Sequence, residues 1–320
     1  MKALRASICI AVTALALGLS LATPSLAEED EAGAITRQMK VLYEAGKYIE
    51  ALPLAQKALA LREKEFGTDD AMVAMPLNDL GTIHYNLGQY PVAELLYKRA
   101  LAIREKTLGP DATEVATVLN NLGELYRVEE HYSEAEPLLK RSIAIREKAL
   151  GSNDPSIVMA MSNLAAVYSS QGRYDQSEPL FKRGLAILQK ANGPDDPEAT
   201  VLMSNLADAY IHRHRYADAE RLLKRSIAVT EKAYGPDHPD IAQAQNNLAT
   251  LYARQGRNAD AERLYKQSVA TFEKTLGPDH PDLADILNNL AAFYRDQGRF
   301  ADAQQLFKRS AAIRAKVRPI

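Results

Sequence analysis

Two neighbouring columns of asparagine run through this 320-residue chain at a spacing of 42 residues. One holds Asn121, Asn163, Asn205, Asn247 and Asn289, with Asp79 in the same place earlier. The other, one residue before it, holds Asn78, Asn120, Asn246 and Asn288. An asparagine side chain presents both a donor and an acceptor. A row of them can therefore hydrogen-bond the backbone of an extended peptide whatever its side chains. Asparagine is also a poor helix former, and mid-helix it has no capping role to explain it. A second reading is that the same amides bridge adjacent helices and shape the array. Close by, the residue types vary from copy to copy: Tyr85 and Asn86, Arg127, Ser169, Ile211 and His212, Arg254, and Arg295. The guanidinium groups of Arg127, Arg254 and Arg295 could grip an acidic or C-terminal carboxylate in two-pronged fashion.

Catalytic chemistry finds no comparable foothold. The motifs Gly-x-Gly-x-x-Gly, Gly-x-Ser-x-Gly and His-Glu-x-x-His are absent. His212 and His214 stand two apart, so on a helix they face different ways. His238 and His280 occur one per copy in turn segments without a second histidine close by in sequence, which argues against a metal site. The expectation is a protein that is not an enzyme and needs no cofactor.

The elements that must position the amides follow from the same period. Glycine recurs at 67, 109, 151, 193, 235 and 277, leucine at seven positions from Leu54 to Leu306, and alanine at seven from Ala60 to Ala312. Several columns in one register mark a stacked repeat. Within one copy, Val115, Val118, Leu119, Leu122, Leu125 and Tyr126 give the apolar stripe of an amphipathic helix over Glu114–Val128. Glu129-Glu130-His131 interrupts it. Other copies place glycine at the position of Glu130 (Gly88, Gly172, Gly256 and Gly298 among them), as a helix end in the left-handed conformation would require. A second helix runs from Tyr132 to about Ala149. Asp154 and Asp196 stand where they can cap the next helix, with His238 and His280 in their place later. Glu94–Lys98, Glu136–Lys140, Glu178–Lys182, Glu220–Lys224 and Glu262–Lys266 are favourable i, i+4 pairs. The doublets Lys98-Arg99, Lys140-Arg141, Lys182-Arg183 and Lys224-Arg225 read as a solvated outer face. The tyrosine columns of Tyr126 and Tyr132 read as packing.

Asn121-Leu122-Gly123 to Tyr126, repeated as Asn163-Leu164-Ala165 to Tyr168, and the following Gly-x-Tyr-x-x-Ala, resemble the tetratricopeptide repeat. The 42-residue period and the Gly-Pro-Asp-x-Pro ending resemble its kinesin light chain-type variant. The resemblance implies an all-α fold, a right-handed α-solenoid of about seven tetratricopeptide-like helix pairs. The expected pairs lie near 30–67, 71–109, 113–151, 155–193, 197–235, 239–277 and 281–317. It also implies that first helices line a groove holding a peptide or partner protein. The site expected there comprises Asn120, Asn121, Asn163, Asn205, Asn246, Asn247, Asn288, Asn289, Arg127, Arg254 and Arg295.

Residues 1–27 read as a secretory signal peptide. Lys2 and Arg5 precede an apolar stretch, and Ser25-Leu26-Ala27 is a small-x-small cleavage site. The array then spans 28–320. Cys9, the sole cysteine, lies in the signal, so the mature chain would have no disulfide. Without Lys2 and Arg5 there are 37 basic against 41 acidic residues, a net charge near −4. That balance does not suggest nucleic acid or anionic lipid as a partner, and no later segment looks able to span a membrane. The expected setting is the periplasm or the exterior. The alternative role is a structural assembly subunit that self-associates or organises a multiprotein complex, through the open end at the last pair, which carries no added polar helix, or through the convex face. Mass spectrometry of protein from its native host should find an N-terminus at Glu28; an intact Met1 would contradict the export reading.

Overall fold

A computed structural model of the chain describes residues 30–317. The expected signal peptide and Cys9 lie outside them. The described residues form fourteen α-helices and no strand. They pair in chain order: α1 (Glu31–Glu44) with α2 (Tyr48–Phe66), α3 (Ala71–Asn86) with α4 (Tyr90–Leu108), and α5 (Thr113–Val128) with α6 (Tyr132–Leu150). Next come α7 (Val158–Ser170), entered by a 3-10 turn at Pro155–Ile157, with α8 (Tyr174–Asn192), and α9 (Ala199–His212) with α10 (Tyr216–Tyr234). The last pairs are α11 (Pro239–Arg254) with α12 (Asn258–Leu276) and α13 (Pro281–Asp296) with α14 (Phe300–Val317). No described helix is long and apolar enough to cross a membrane. The helices form two compact units, an N-terminal one up to Val167 and a C-terminal one from Tyr168, divided inside α7.

Small residues let the two helices of a pair approach. Ala93, Ala135, Ala219 and Ala261 are wholly buried on the second helices. On the first helix of the third pair, a Cβ at Gly123 would lie 2.6 Å from Leu139 Cγ. The second helix is also tied to the first by a buried hydroxyl: Ser142, Ser268 and Ser310 donate to the carbonyls of Ala116, Ala242 and Ala284 at 2.7–2.8 Å. Within each unit the core bridges adjacent pairs. Val115, Ala116, Leu119 and Ile145 pack with Leu101 of α4 and Leu138 of α6.

Two turns set the period, and they use backbone conformation differently. The turn inside a pair is a Schellman motif, with Glu130 N–H on the Arg127 carbonyl and His131 N–H on that of Tyr126. Glu130 there has φ 64°, and His214 in the same column has φ 59°. The turn between pairs is stricter. Gly151 stands at φ 91° and ψ 157°, a region essentially closed to any residue with a Cβ. This accounts for six copies of glycine in that column, whereas the other column tolerates glutamate and histidine. Asp154 accepts from Ser156 N–H and Asp196 from Glu198 N–H, as capping residues do. His238 and His280 accept through Nδ1 from Asp240 and Asp282 N–H at 3.3 Å.

A left-handed non-glycine residue costs roughly 1–2 kcal/mol, partly offset by the greater unfolded-state freedom of glycine. Glu130→Gly should therefore stabilise the array by about 0.5–1 kcal/mol. Gly151→Ala should destabilise it by about 1–3 kcal/mol. Urea unfolding midpoints of the two variants should move in opposite directions.

Candidate peptide-binding face

Each first helix keeps one stripe that its neighbours do not fully cover. On α5 it is Thr117, Asn121, Glu124 and Val128, spaced i, i+4, i+7, i+11, while Val115, Val118, Leu119, Leu122 and Leu125 are buried behind it. On α11 the stripe is Gln243, Asn247, Thr250 and Arg254; on α13 it is Asp285, Asn289, Ala292 and Asp296. The amide column thus runs along the partly open side of each unit.

The amides also meet one another. Asn121 Nδ2 donates to Asn78 Oδ1 at 2.9 Å, Asn163 to Asn120 at 3.1 Å, and Asn289 to Asn246 at 3.3 Å. Each is a rung between first helices of successive pairs, so the bridging reading has direct geometric support at these six residues. Asn120, Asn163 and Asn246 are buried. Asn120 also donates weakly to Asn121, at 3.4 Å. Asn205, Asn247, Asn288 and Asn289 stay half-buried. Asn247 accepts from Gln243 at 3.3 Å, and the Asn205 amide forms no rung among the described residues. A rung uses one donor of one amide and one acceptor of the next. On the half-buried amides the remaining hydrogens and lone pairs are left over from the rung.

The three arginines separate clearly. Arg127 is committed to its own helix, donating to both oxygens of Glu124 at 2.7 and 2.6 Å. Burial alone would lower its pKa, but the Glu124 hydrogen bonds and charge reverse that and hold it above the usual arginine value. The Tyr85 hydroxyl donates to the same Glu124 at 3.1 Å, and burial pushes that phenol far up. Arg295 is exposed and pairs with adjacent Asp296 at 3.0 Å. Arg254 is exposed, and its positive charge reaches Asp208 and Tyr174. His212 stacks on Tyr174 with ring centroids 5.1 Å apart and lies 3.7 Å from the Asp208 carboxylate. Burial raises Asp208 despite His212 and Arg254. His214 faces elsewhere, 2.9 Å from the Tyr216 hydroxyl.

A second polar network, missed from the sequence, joins successive pairs. Tyr126 donates to Glu94 at 2.7 Å, Tyr252 to Glu220 at 2.9 Å and Tyr294 to Glu262 at 3.0 Å, always 32 residues back. Arg173, Arg215, Arg257 and Arg299 lie over the rings of Tyr168, Tyr210, Tyr252 and Tyr294, 3.7–4.2 Å from the centroids. Arginine at that position in the last four copies was the signal available. The glutamates take their expected i+4 lysines as well, at 2.5–2.8 Å.

The doublets divide accordingly. Their lysines are solvated, but several arginines are not a free outer face. Arg99, Arg141 and Arg225 donate to the loop carbonyls of Thr68, Pro110 and Pro194 at 2.5–2.8 Å. The aspartate of the Gly-Pro-Asp loop takes the last-turn lysine of its own pair: Asp111 with Lys148, Asp195 with Lys232, Asp237 with Lys274, each at 2.6 Å.

With this geometry in view, the comparisons with known proteins are decisive for the family. The tetratricopeptide repeat profile matches six overlapping spans, residues 40–106, 73–148, 114–190, 156–231, 198–274 and 240–316. The chain belongs to the tetratricopeptide repeat family. Its fold is similar to a Podosopora anserina kinesin light chain-like protein of nearly identical repeats, at 27% identity and TM-score 0.55, covering 62% of this chain and 94% of that one. A second structure of that protein gives 28% identity and TM-score 0.51, covering 65% and 99%. At the level of fold alone, the apo form of RapI aligns with TM-score 0.68 at 14% identity, covering 90% of this chain and 98% of its own. No curated protein sequence matches the chain.

The glutamate network makes an acid-side prediction. Hydrogen bonds from Lys266, Arg299 and Tyr294 pull Glu262 down to about 2. An unfolded glutamate titrates near ~4.3, so this stabilisation is present above that value and is lost as pH falls through about 2. Glu262→Gln should lower the urea midpoint at pH 5 and shrink its further drop between pH 5 and pH 2.5. Equal drops in both proteins would contradict the assignment.

Proposed function

We propose that this protein is an exported, non-enzymatic scaffold for protein interactions. It holds a peptide or partner protein along the uncovered stripes of its first helices. One observation carries the reading: the same position is an amide in five successive copies, half-buried at Asn121, Asn205, Asn247 and Asn289 and covered at Asn163, while the residues around it change. Asn121 is flanked by Thr117 and Glu124, Asn205 by Val201 and Asp208, and Asn247 by Gln243 and Thr250. A constant donor–acceptor group suits the constant part of a ligand, its backbone. Variable neighbours suit its side chains.

A relative of this fold has been solved with a peptide. The Rap conjugation regulator of plasmid pLS20, in complex with the Phr* peptide, aligns with TM-score 0.67 at 15% identity, covering 93% of this chain and 80% of its own. Arg254 is the best placed of the three arginines to meet a ligand carboxylate, because Arg127 and Arg295 are held by acidic neighbours. Cleavage near Ala27 would deliver the array to the periplasm or the exterior.

The test uses residues outside the observed rungs. Asn205→Ala combined with Asn247→Ala should reduce crosslinked partner capture in living cells at least about tenfold, the loss expected from two or so net hydrogen bonds. The far-ultraviolet circular dichroism should be unchanged. Capture at wild-type level with both amides removed would refute binding along this face.

A further inference from the structure

The first rung of the asparagine series is chemically unlike the others. In the three observed rungs the donor lies 43 residues after the acceptor: Asn121 to Asn78, Asn163 to Asn120, Asn289 to Asn246. Asp79 holds the donor's place on α3, and carrying the same 43-residue offset back one pair assigns it Thr36 of α1 as counterpart. The Thr36 hydroxyl donates to the Ala32 carbonyl of its own helix at 2.8 Å, so toward a neighbour it offers only lone pairs. An ionised carboxylate also offers only lone pairs. The mismatch is visible in Asp79 itself: Oδ2 is buried and has no hydrogen-bond partner. A buried acceptor left without a donor is destabilising, more so if charged. A protonated carboxyl has nearly the shape of an amide and supplies the missing donor.

We propose that Asp79 is a proton-operated rung. Protonated, it donates to α1 as asparagine does between later pairs; ionised, it cannot, and α1 is held without that bond.

The surroundings support this balance. Burial raises the Asp79 pKa, and the charges of Lys40 on α1 and Arg104 on α4, with the Asn78 amide between them in effect, only partly oppose it. Arg104 is itself turned away to the Glu114 carbonyl, to which Nη1 donates at 2.5 Å. The Tyr97 phenol of α4 feels the Asp79 and Glu124 charges, but its hydroxyl is engaged with Thr82 at 3.1 Å. Helix α1 is packed by buried Ala32, Ile35 and Met39, and its polar ties elsewhere are Asn86 of α3 donating to the Tyr43 hydroxyl at 3.3 Å and the ion pairs Lys57 with Glu31 and Arg62 with Asp30. Pairs of that kind contribute little, so one rung matters more here than deeper in the array. The sign follows from linkage. A carboxyl whose folded pKa is raised gives stability that is fully present below the unfolded value, near ~3.9, and is lost as pH rises through the folded value.

Amide hydrogen exchange on the whole chain, corrected for the intrinsic pH dependence of exchange, tests the rung. Protection of the α1 amides relative to those of α6 should fall about fivefold in the wild type from pH 5 to pH 7.5, the factor for one net hydrogen bond. Asp79→Asn should keep α1 protected at both pH values. Asp79→Ala, which removes the charge without supplying a donor, should leave α1 at the weakly protected level throughout. A wild-type α1 that follows α6 across the range overturns the proposal. So does an Asp79→Ala variant as well protected as Asp79→Asn, since relief of the buried charge would then suffice.

Discussion

A pair of helices of this kind has more apolar surface than its two members can hide from each other. Everything else in the molecule answers that constraint. Val115 and Leu119 of α5 pack on Ile145 within the pair and on Leu101 of the pair before. In the C-terminal unit, Ala242, Leu283, Ile286 and Leu287 join Phe272 and Ile313 in the same way. Buried apolar area contributes roughly 25 cal/mol per Å², so packing on the adjacent pair adds to what each pair gains from its own two helices. Such an array tolerates variation in one copy without collapse of the rest.

Close neighbours bring backbones and polar groups together, and these must be satisfied. On one side of the first helices the answer is the amide rung. Between second helices and the following pair it is glutamate, shared among a lysine, a tyrosine hydroxyl and an arginine lying on that tyrosine ring. Glu178 shows how far this goes. It takes Lys182, Arg213 and Arg215 together; burial alone would raise its pKa, but the hydrogen bonds and charges of Lys182 and Arg215 lower it. The two networks differ in what they leave over. The glutamates gather several donors on one carboxylate, three on Glu262 Oε1 alone, whereas a rung uses one donor or one acceptor of each amide. The first network joins first helices to one another, and the second joins each second helix to the pair that follows.

The architecture was legible because it is a covalent regularity. Glycine at 151 and its equivalents, the break at Glu130, the apolar stripe of α5 and the capping residues before α11 and α13 all act within a few residues along the chain. The i, i+4 lysine–glutamate pairs were legible for the same reason. The arginines were not. Arg99 and Arg141 look like a charged outer face until the loop carbonyls about thirty residues earlier come within reach. Arg127 looks like a ligand-reading residue until its side chain is seen to fold back on Glu124.

What the sequence determined by itself, then, is the repeat, its helices, its turns and the placement of amides along one face. Backbone conformation and hydrophobic periodicity set these locally, and a 42-residue register propagates them. Only the tertiary structure decided which polar group meets which. That choice depends on how far one helix is offset from the next, a quantity fixed by side-chain packing between pairs. A shift of one residue between sequence columns turns Asn121 toward Asn78 rather than Asp79, and that offset is written in no single segment of the chain.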